Sequence, residues 1–180
     1  MNKVKPNVTI RTSEPQDYDF IISSWLKGYR HSPQTRDIRS TIYFKYQHKI
    51  VENLLDESFI FVACNPEDSD HIYGYLVGEH YQKNADVIHW VYVKGPFRRM
   101  GIGTALFKAF NNGSKVFYTH NVHDYRLSDH FPHTQDKQNE TEIYYYLKSR
   151  KAETRFLKKI RATYNPYFAF KETKEEGLKC

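Results

Sequence analysis

The sequence predicts an α/β protein built on a mixed, mostly antiparallel central sheet with helices flanking it, and three observations predict it. Two segments with helical apolar spacing come first. Three short β-prone runs follow them in succession. The third run then passes through a glycine pair into another helical segment, so the order reads β-α-α-β-β-β-α-β-α-β.

Each element has its own signal. Val8-Thr9-Ile10-Arg11 alternates as a short strand and runs into Ser13-Glu14-Pro15-Gln16, which reads as a capping box with Ser13 as N-cap and Gln16 reaching back. Tyr18, Ile21, Ile22, Trp25, Leu26 and Tyr29 then share one helical face, and Ser32-Pro33 ends that helix. A second stripe from about Asp37 to Leu55 predicts the next helix. Strands are expected over Ser58 to Cys64, His71 to Glu79 and Val87 to Val93, the first two separated by a turn over Asn65 to Asp70. Ala105, Leu106, Ala109 and Phe110 mark a helix that Asn111-Asn112-Gly113 stops, and Lys115 to Thr119 is a further strand. His120 to Glu140 is polar and histidine-rich with no period. Thr141 to Arg161 reads as helical, Tyr164 to Phe170 as a return to the sheet, and residues 171–180 as a charged tail. One domain over residues 8–170 is expected, since 180 residues can bury one proper core and two halves would each be marginal.

Composition narrows the classes. There is no apolar run of membrane-spanning length and no apolar segment near Met1 of the secretory kind, so a cytoplasmic protein is expected. The two cysteines, Cys64 inside an apolar run and Cys180 in the tail, are poor partners for a disulfide. Lysine and arginine exceed acidic residues by 27 to 21, but the excess is diffuse and no stripe of arginine and aromatic residues shares one element; nucleic acid is therefore not the expected principal ligand. His120, His123, Asp124, Asp129, His130 and His133 lack a zinc-ligand spacing, so no metal is assigned.

The chemistry-bearing stretch is Arg98-Arg99-Met100-Gly101-Ile102-Gly103-Thr104, set between a strand and a helix. Backbone N–H groups converge at such a helix start, the helix dipole adds positive potential, and the glycines let an anion approach the backbone. A P-loop would need a Gly-Lys-Ser/Thr ending. A dinucleotide fingerprint would need a third glycine where Leu106 stands.

From Val93 to Thr104, and in the order of its elements from Val8 to Thr119, the chain resembles the GNAT superfamily of acyl-CoA N-acyltransferases; Tyr75-Leu76-Val77-Gly78-Glu79 looks like that family's third strand. The resemblance implies a splayed sheet and acetyl-CoA as co-substrate. It implies that Val91, Tyr92 and Val93 pair through their backbone with the pantetheine arm. The loop amides of Arg99, Met100, Gly101, Ile102, Gly103 and Thr104 would hold the pyrophosphate, with Arg98 supporting. The partner strand across the splay would be the one near Val116 to Thr119.

Acyl transfer to an amine needs a neutral nucleophile and a path for its proton. His89 is the candidate base: counted by twos, Val93, Val91, His89 and Val87 share a strand face, and the family's arylalkylamine acetyltransferases resemble this chain in having a histidine four residues before the matching valine. Val87 stands where many protein acetyltransferases of the family carry a glutamate base, so Glu79 is held in reserve. Where family members place a tyrosine acid, the chain offers Phe156; Tyr164 and Tyr144 to Tyr146 are the substitutes. The expected function is transfer of acetyl from acetyl-CoA to a primary amine of a small molecule or a protein. The alternative is a catalytically weak or inactive relative that acts by binding a partner protein.

Overall fold

Three β-prone runs joined by short connections can pair with one another only antiparallel, whereas strands separated by a helix can run parallel. A computed structural model of the chain, which describes residues 6–81, 85–120, 156, 159–165 and 169, follows both rules. Its elements are β1 (Thr9–Thr12), α1 (Tyr18–Tyr29), α2 (Ser40–Glu57), β2 (Phe59–Asn65), β3 (Asp68–Tyr81), β4 (Ala85–Val93), α3 (Ile102–Phe110), β5 (Lys115–Tyr118) and β6 (Thr163–Tyr164). The six strands form one sheet in chain order. Pairs β1–β2, β2–β3 and β3–β4 are antiparallel; β4–β5, linked through α3, and β5–β6 are parallel. The helix expected over Thr141 to Arg161 lies almost wholly outside the described residues, as do the tail from 171 and the histidines beyond His120. One helical bond, from the Ile160 N–H to the Phe156 carbonyl at 3.1 Å, leads into β6.

Each face of the sheet buries its own apolar set. Ile21, Trp25 and Leu26 of α1 and Val51, Leu54 and Leu55 of α2 pack on Val62, Tyr75, Val77 and Trp90. On the other face Ile102, Leu106 and Phe110 of α3 pack on Ala63, Leu76, Ile88 and Val116. Each valine, leucine, isoleucine and phenylalanine among them, fully buried, contributes about 1.5–3 kcal/mol. That burial pins both helix layers and fixes where the start of α3 lies against the end of β4.

Two local expectations are corrected. The capping box sits one residue later than the sequence suggests: the Ser13 N–H still donates to the Ile60 carbonyl of β2 at 2.9 Å, which keeps Ser13 in the sheet. Asp17 takes the reciprocal role, accepting from the Glu14 N–H at 2.8 Å, because its buried carboxylate is already fixed by the Arg11 guanidinium at 2.6 and 3.0 Å. The turn after β2 is also tighter than expected. Asn65 pairs directly with Asp68, its side-chain oxygen accepts the Glu67 N–H at 3.2 Å, and only Pro66 and Glu67 connect the strands.

Candidate functional site

The site grows from an irregularity in β4. Across β3, Trp90 pairs with Val77 and Ile88 pairs with Gly78, so His89 is an extra residue in a bulge. Counting by twos therefore fails at this point. Trp90 packs with the α1–α2 layer and Ile88 with α3, although both numbers are even; Val91 and Val93 also pack toward α3. His89 does not share their face in the way the sequence count implies.

The same place is where β4 and β5 part. Their ladder ends at Ile88 with Tyr118, closed by the Thr119 N–H donating to the Ile88 carbonyl at 3.1 Å. Beyond it, Val91, Tyr92 and Val93 make no ladder with β5 among the described residues. A chain of amides could pair along Val91 to Val93.

From Val93 the backbone turns sharply into α3. The Lys94 N–H donates to the Tyr73 carbonyl at 2.8 Å, and Arg98 Nε donates to the Val93 carbonyl at 2.8 Å, so Arg98 braces the turn. Arg99 is exposed and holds φ 67°, and Gly101, the N-cap of α3, holds φ 88°. For arginine that left-handed conformation costs roughly 1–2 kcal/mol, a local strain of the kind found where backbone is shaped for a ligand. Gly101 has no side chain to cap the first amides of the helix. Ile102 is buried in the α3 cluster and can offer a ligand only its backbone. At Gly103 an added Cβ would find nothing nearer than the Phe156 ring at 3.8 Å and the Val93 side chain at 3.9 Å. A Cβ there would make only ordinary contacts, so neither backbone conformation nor internal packing requires a glycine at this position. Phe156, in the position considered for a tyrosine acid, lies beside this first turn and meets Phe107 edge-on.

On the other face His89 is fully buried and both of its ring nitrogens are engaged: Nε2 with Glu79 Oε1 at 3.1 Å and Nδ1 with Thr119 Oγ1 at 3.1 Å. Thr119 Oγ1 also lies 2.8 Å from His120 Nδ1. His120 is enclosed by Tyr29, Trp25 and Trp90, with ring centroids 4.8, 5.2 and 6.2 Å away. Burial, reinforced by the neighbouring His89 and only partly opposed by that residue's backbone, pushes His120 down to about 3. Burial likewise raises Tyr29 to about 12. The sequence points to His89 with Glu79 in reserve, but not to Thr119 or to its pairing with His120. The signal available was a polar pair placed directly after an apolar strand.

Among the described residues no helix is long and apolar enough to cross a membrane, and no three His, Cys, Asp or Glu side chains are grouped to hold a metal.

No curated protein matches the sequence. Among solved structures, the chain is similar to a presumed acetyl transferase of Pyrococcus furiosus, at 18% identity and a TM-score of 0.52, covering 72% of this chain and 97% of that one. It is also similar to a GNAT-family acetyltransferase of Streptococcus pneumoniae, at 16% identity and a TM-score of 0.44 over 68% and 82% of the two chains. A third, a GNAT-family acetyltransferase of Staphylococcus aureus, has 16% identity and a TM-score of 0.42 over 58% and 64%. At these identities the Pyrococcus likeness speaks for the fold, and the other two add no argument. The model of the acetyltransferase (GNAT) family matches residues 20–112, just over half of the 180 residues, a span that runs from α1 through β4, the glycine turn and α3. The chain belongs to the GNAT acetyltransferase family.

Proposed function

We infer that this protein, as one domain over residues 8–170, transfers the acetyl group of acetyl-CoA to a primary amine of a small molecule or a protein. The observation that carries the reading is the left-handed, uncapped Gly101 at the start of α3, which follows directly on the end of β4 where Val91 to Val93 make no ladder with β5 among the described residues. A diphosphate fits the converging amides from Arg99 to Thr104, and an amide-bearing arm fits Val91 to Val93. Such a donor would bring its thioester to the parting of β4 and β5, next to His89.

In the reaction the amine nitrogen attacks the acetyl carbonyl carbon, the new C–N bond forms, the C–S bond breaks and the thiolate leaves. The nitrogen must shed a proton. His89 with Glu79 is the group at the parting that can hold it, as an imidazolium hydrogen-bonded to a carboxylate. Much of the remaining advantage is positioning, since the thioester is already activated.

Titration calorimetry with acetyl-CoA and with CoA tests the reading. Wild type should bind both, and Gly101→Glu, which puts a bulky anion where phosphate would lie, should bind neither. Equal affinities in the two proteins, or no binding by wild type, would overturn it. Turnover is tested with His89→Gln, expected to keep CoA affinity and to lose roughly 100-fold in kcat.

A further inference from the structure

Lys94, the residue directly after β4, carries a cation with no counter-ion. Its N–H stays bonded to the sheet at the Tyr73 carbonyl, while its side chain reaches α1 and sets Nζ 4.6 Å from the centre of the Phe20 ring. Among the described residues that ring is the one partner of the ammonium. The side chain is half-buried, and burial lowers its pKa with no carboxylate to offset the cost.

The ring beneath the ammonium belongs to a wall. Phe20 meets Tyr75 and Tyr92 edge-on, with centroids 6.1 and 5.9 Å away, and Tyr75 and Tyr92 stack at 5.5 Å. Tyr75 is fully buried with its hydroxyl held by Ser24 and by the Ile21 carbonyl of α1, so it anchors the other two rings. Phe20 and Tyr92 keep part of their surface in solvent. The result is an accessible apolar wall with one cation at its rim, beside the stretch of β4 that makes no ladder with β5 among the described residues. Phe20 and Tyr92 pack with the α1–α2 layer, whereas Val93 and Ile102 pack with α3. Lys94 therefore presents its charge on the face away from α3, and a diphosphate on the first amides of that helix does not require it.

We propose that Lys94 and the Phe20–Tyr92 wall select the acceptor: the wall holds an apolar side chain of a peptide, and Lys94 binds a carboxylate that the peptide carries about three residues from the amine to be acetylated. The proposal rests on the acetyl-transfer reading and names the substrate class for it. Lys94 lies five residues along from His89 at the parting of β4 and β5, about 16 Å at the usual strand rise, and the reach of the lysine side chain shortens that span. A free amino acid, with its amine and carboxylate on one carbon, cannot bridge it. An extended peptide advances about 3.3–3.6 Å per residue and can. A half-buried ammonium also gains more from a carboxylate than a fully hydrated one does, because the rings around it hold water away and the new pair replaces a charge that was unmatched.

The experiment uses the full chain with acetyl-CoA and four-residue peptides that have a free N-terminus, an amidated C-terminus, leucine in second place and aspartate, asparagine or lysine in fourth. Wild type should prefer the aspartate peptide to the asparagine peptide by about tenfold in kcat/KM, and glycine in place of the leucine should lower kcat/KM as well. Lys94→Met should remove the preference for aspartate, and Lys94→Glu should turn it toward the lysine peptide. Both variants should bind CoA as wild type does, which also shows that they fold. Equal use of the aspartate and asparagine peptides by wild type would overturn the proposal, and so would better use of single amino acids than of peptides. Loss of CoA affinity in Lys94→Met with the aspartate preference intact would assign Lys94 to the donor and overturn it too. Calorimetry with the same peptides reads the contact without turnover: equal affinities of wild type for the aspartate and asparagine forms overturn the proposal even where nothing is acetylated. An aspartate preference that vanishes in Lys94→Met, in a protein that does not bind CoA, would keep the contact and end the acetyl-transfer reading.

Discussion

An added Cβ on Gly103 would lie 3.8 Å from the ring of Phe156, an ordinary contact that the protein could accept. Gly103→Ala should therefore fold well and stabilise the ligand-free protein by about 0.5–1 kcal/mol, since alanine is the better residue in a helix. Its affinity for CoA should nevertheless fall at least tenfold, because the methyl group would occupy space needed by a phosphate. Thermal unfolding without ligand and calorimetry with CoA measure the two effects separately. A variant that is stabilised and binds as tightly as wild type would remove Gly103 from the cofactor site.

Gly78 presents the opposite case. A Cβ there would meet the Val87 carbonyl oxygen at 2.6 Å and the Phe110 ring at 2.7 Å. The first neighbour is backbone beside the bulge and cannot swing away. Gly78→Ala should lower stability by about 1–3 kcal/mol, seen as an earlier urea midpoint with an unchanged slope.

Arg98 separates geometry from charge. Its Nε bond to the Val93 carbonyl can be made by arginine but not by the terminal amine of lysine in the same way. Arg98→Lys should weaken CoA binding about tenfold while preserving its dependence on salt, and Arg98→Met should weaken it further and flatten that dependence. Calorimetry at low and high salt checks both.

How much was legible follows from how local each signal is. The strand, glycine turn and α3 were readable because Gly101, Gly103, Leu106 and Phe110 state their roles within one short stretch. The family and the mixed sheet followed from that stretch and from the element order. The bulge at His89 was not readable: alternation by twos assumes an unbroken ladder, and the break depends on which residues of β3 lie opposite. The partners of His89 lie 10 and 30 residues away in sequence, so their meeting depends on how β3, β4 and β5 are aligned. The cap moved from Ser13 to Glu14 for a similar reason, because Ile60 on another strand holds Ser13.

Asp17 gives a pH prediction. Burial alone would raise its carboxyl, but hydrogen bonds from Arg11 and from the Glu14 N–H outweigh burial and hold it below the ordinary value. A group lowered on folding contributes stability that is fully present above its unfolded value of 3.8 and is lost as the pH falls through its folded value. Asp17→Asn should therefore cost about 3 kcal/mol at neutral pH, where it strands the Arg11 guanidinium, and should unfold less steeply than wild type as the solution is acidified below that value. Denaturant titrations at a series of pH values measure the difference.

Trp25 and Trp90 are the two tryptophans of the chain, and they are stacked with centroids 5.6 Å apart and planes within 8°. All of the protein's indole emission thus originates from one spot, at the join of α1 and β4 and against the ring of His120. The molecule carries its own optical probe of the place where β4 and β5 part. A ligand whose binding disturbs His120 will register as a change in intrinsic fluorescence without any attached dye. Loosening of α1 will separate the two indoles and abolish the paired near-ultraviolet dichroism bands that such close, parallel rings produce, which gives site occupancy and helix docking two distinct spectral signatures.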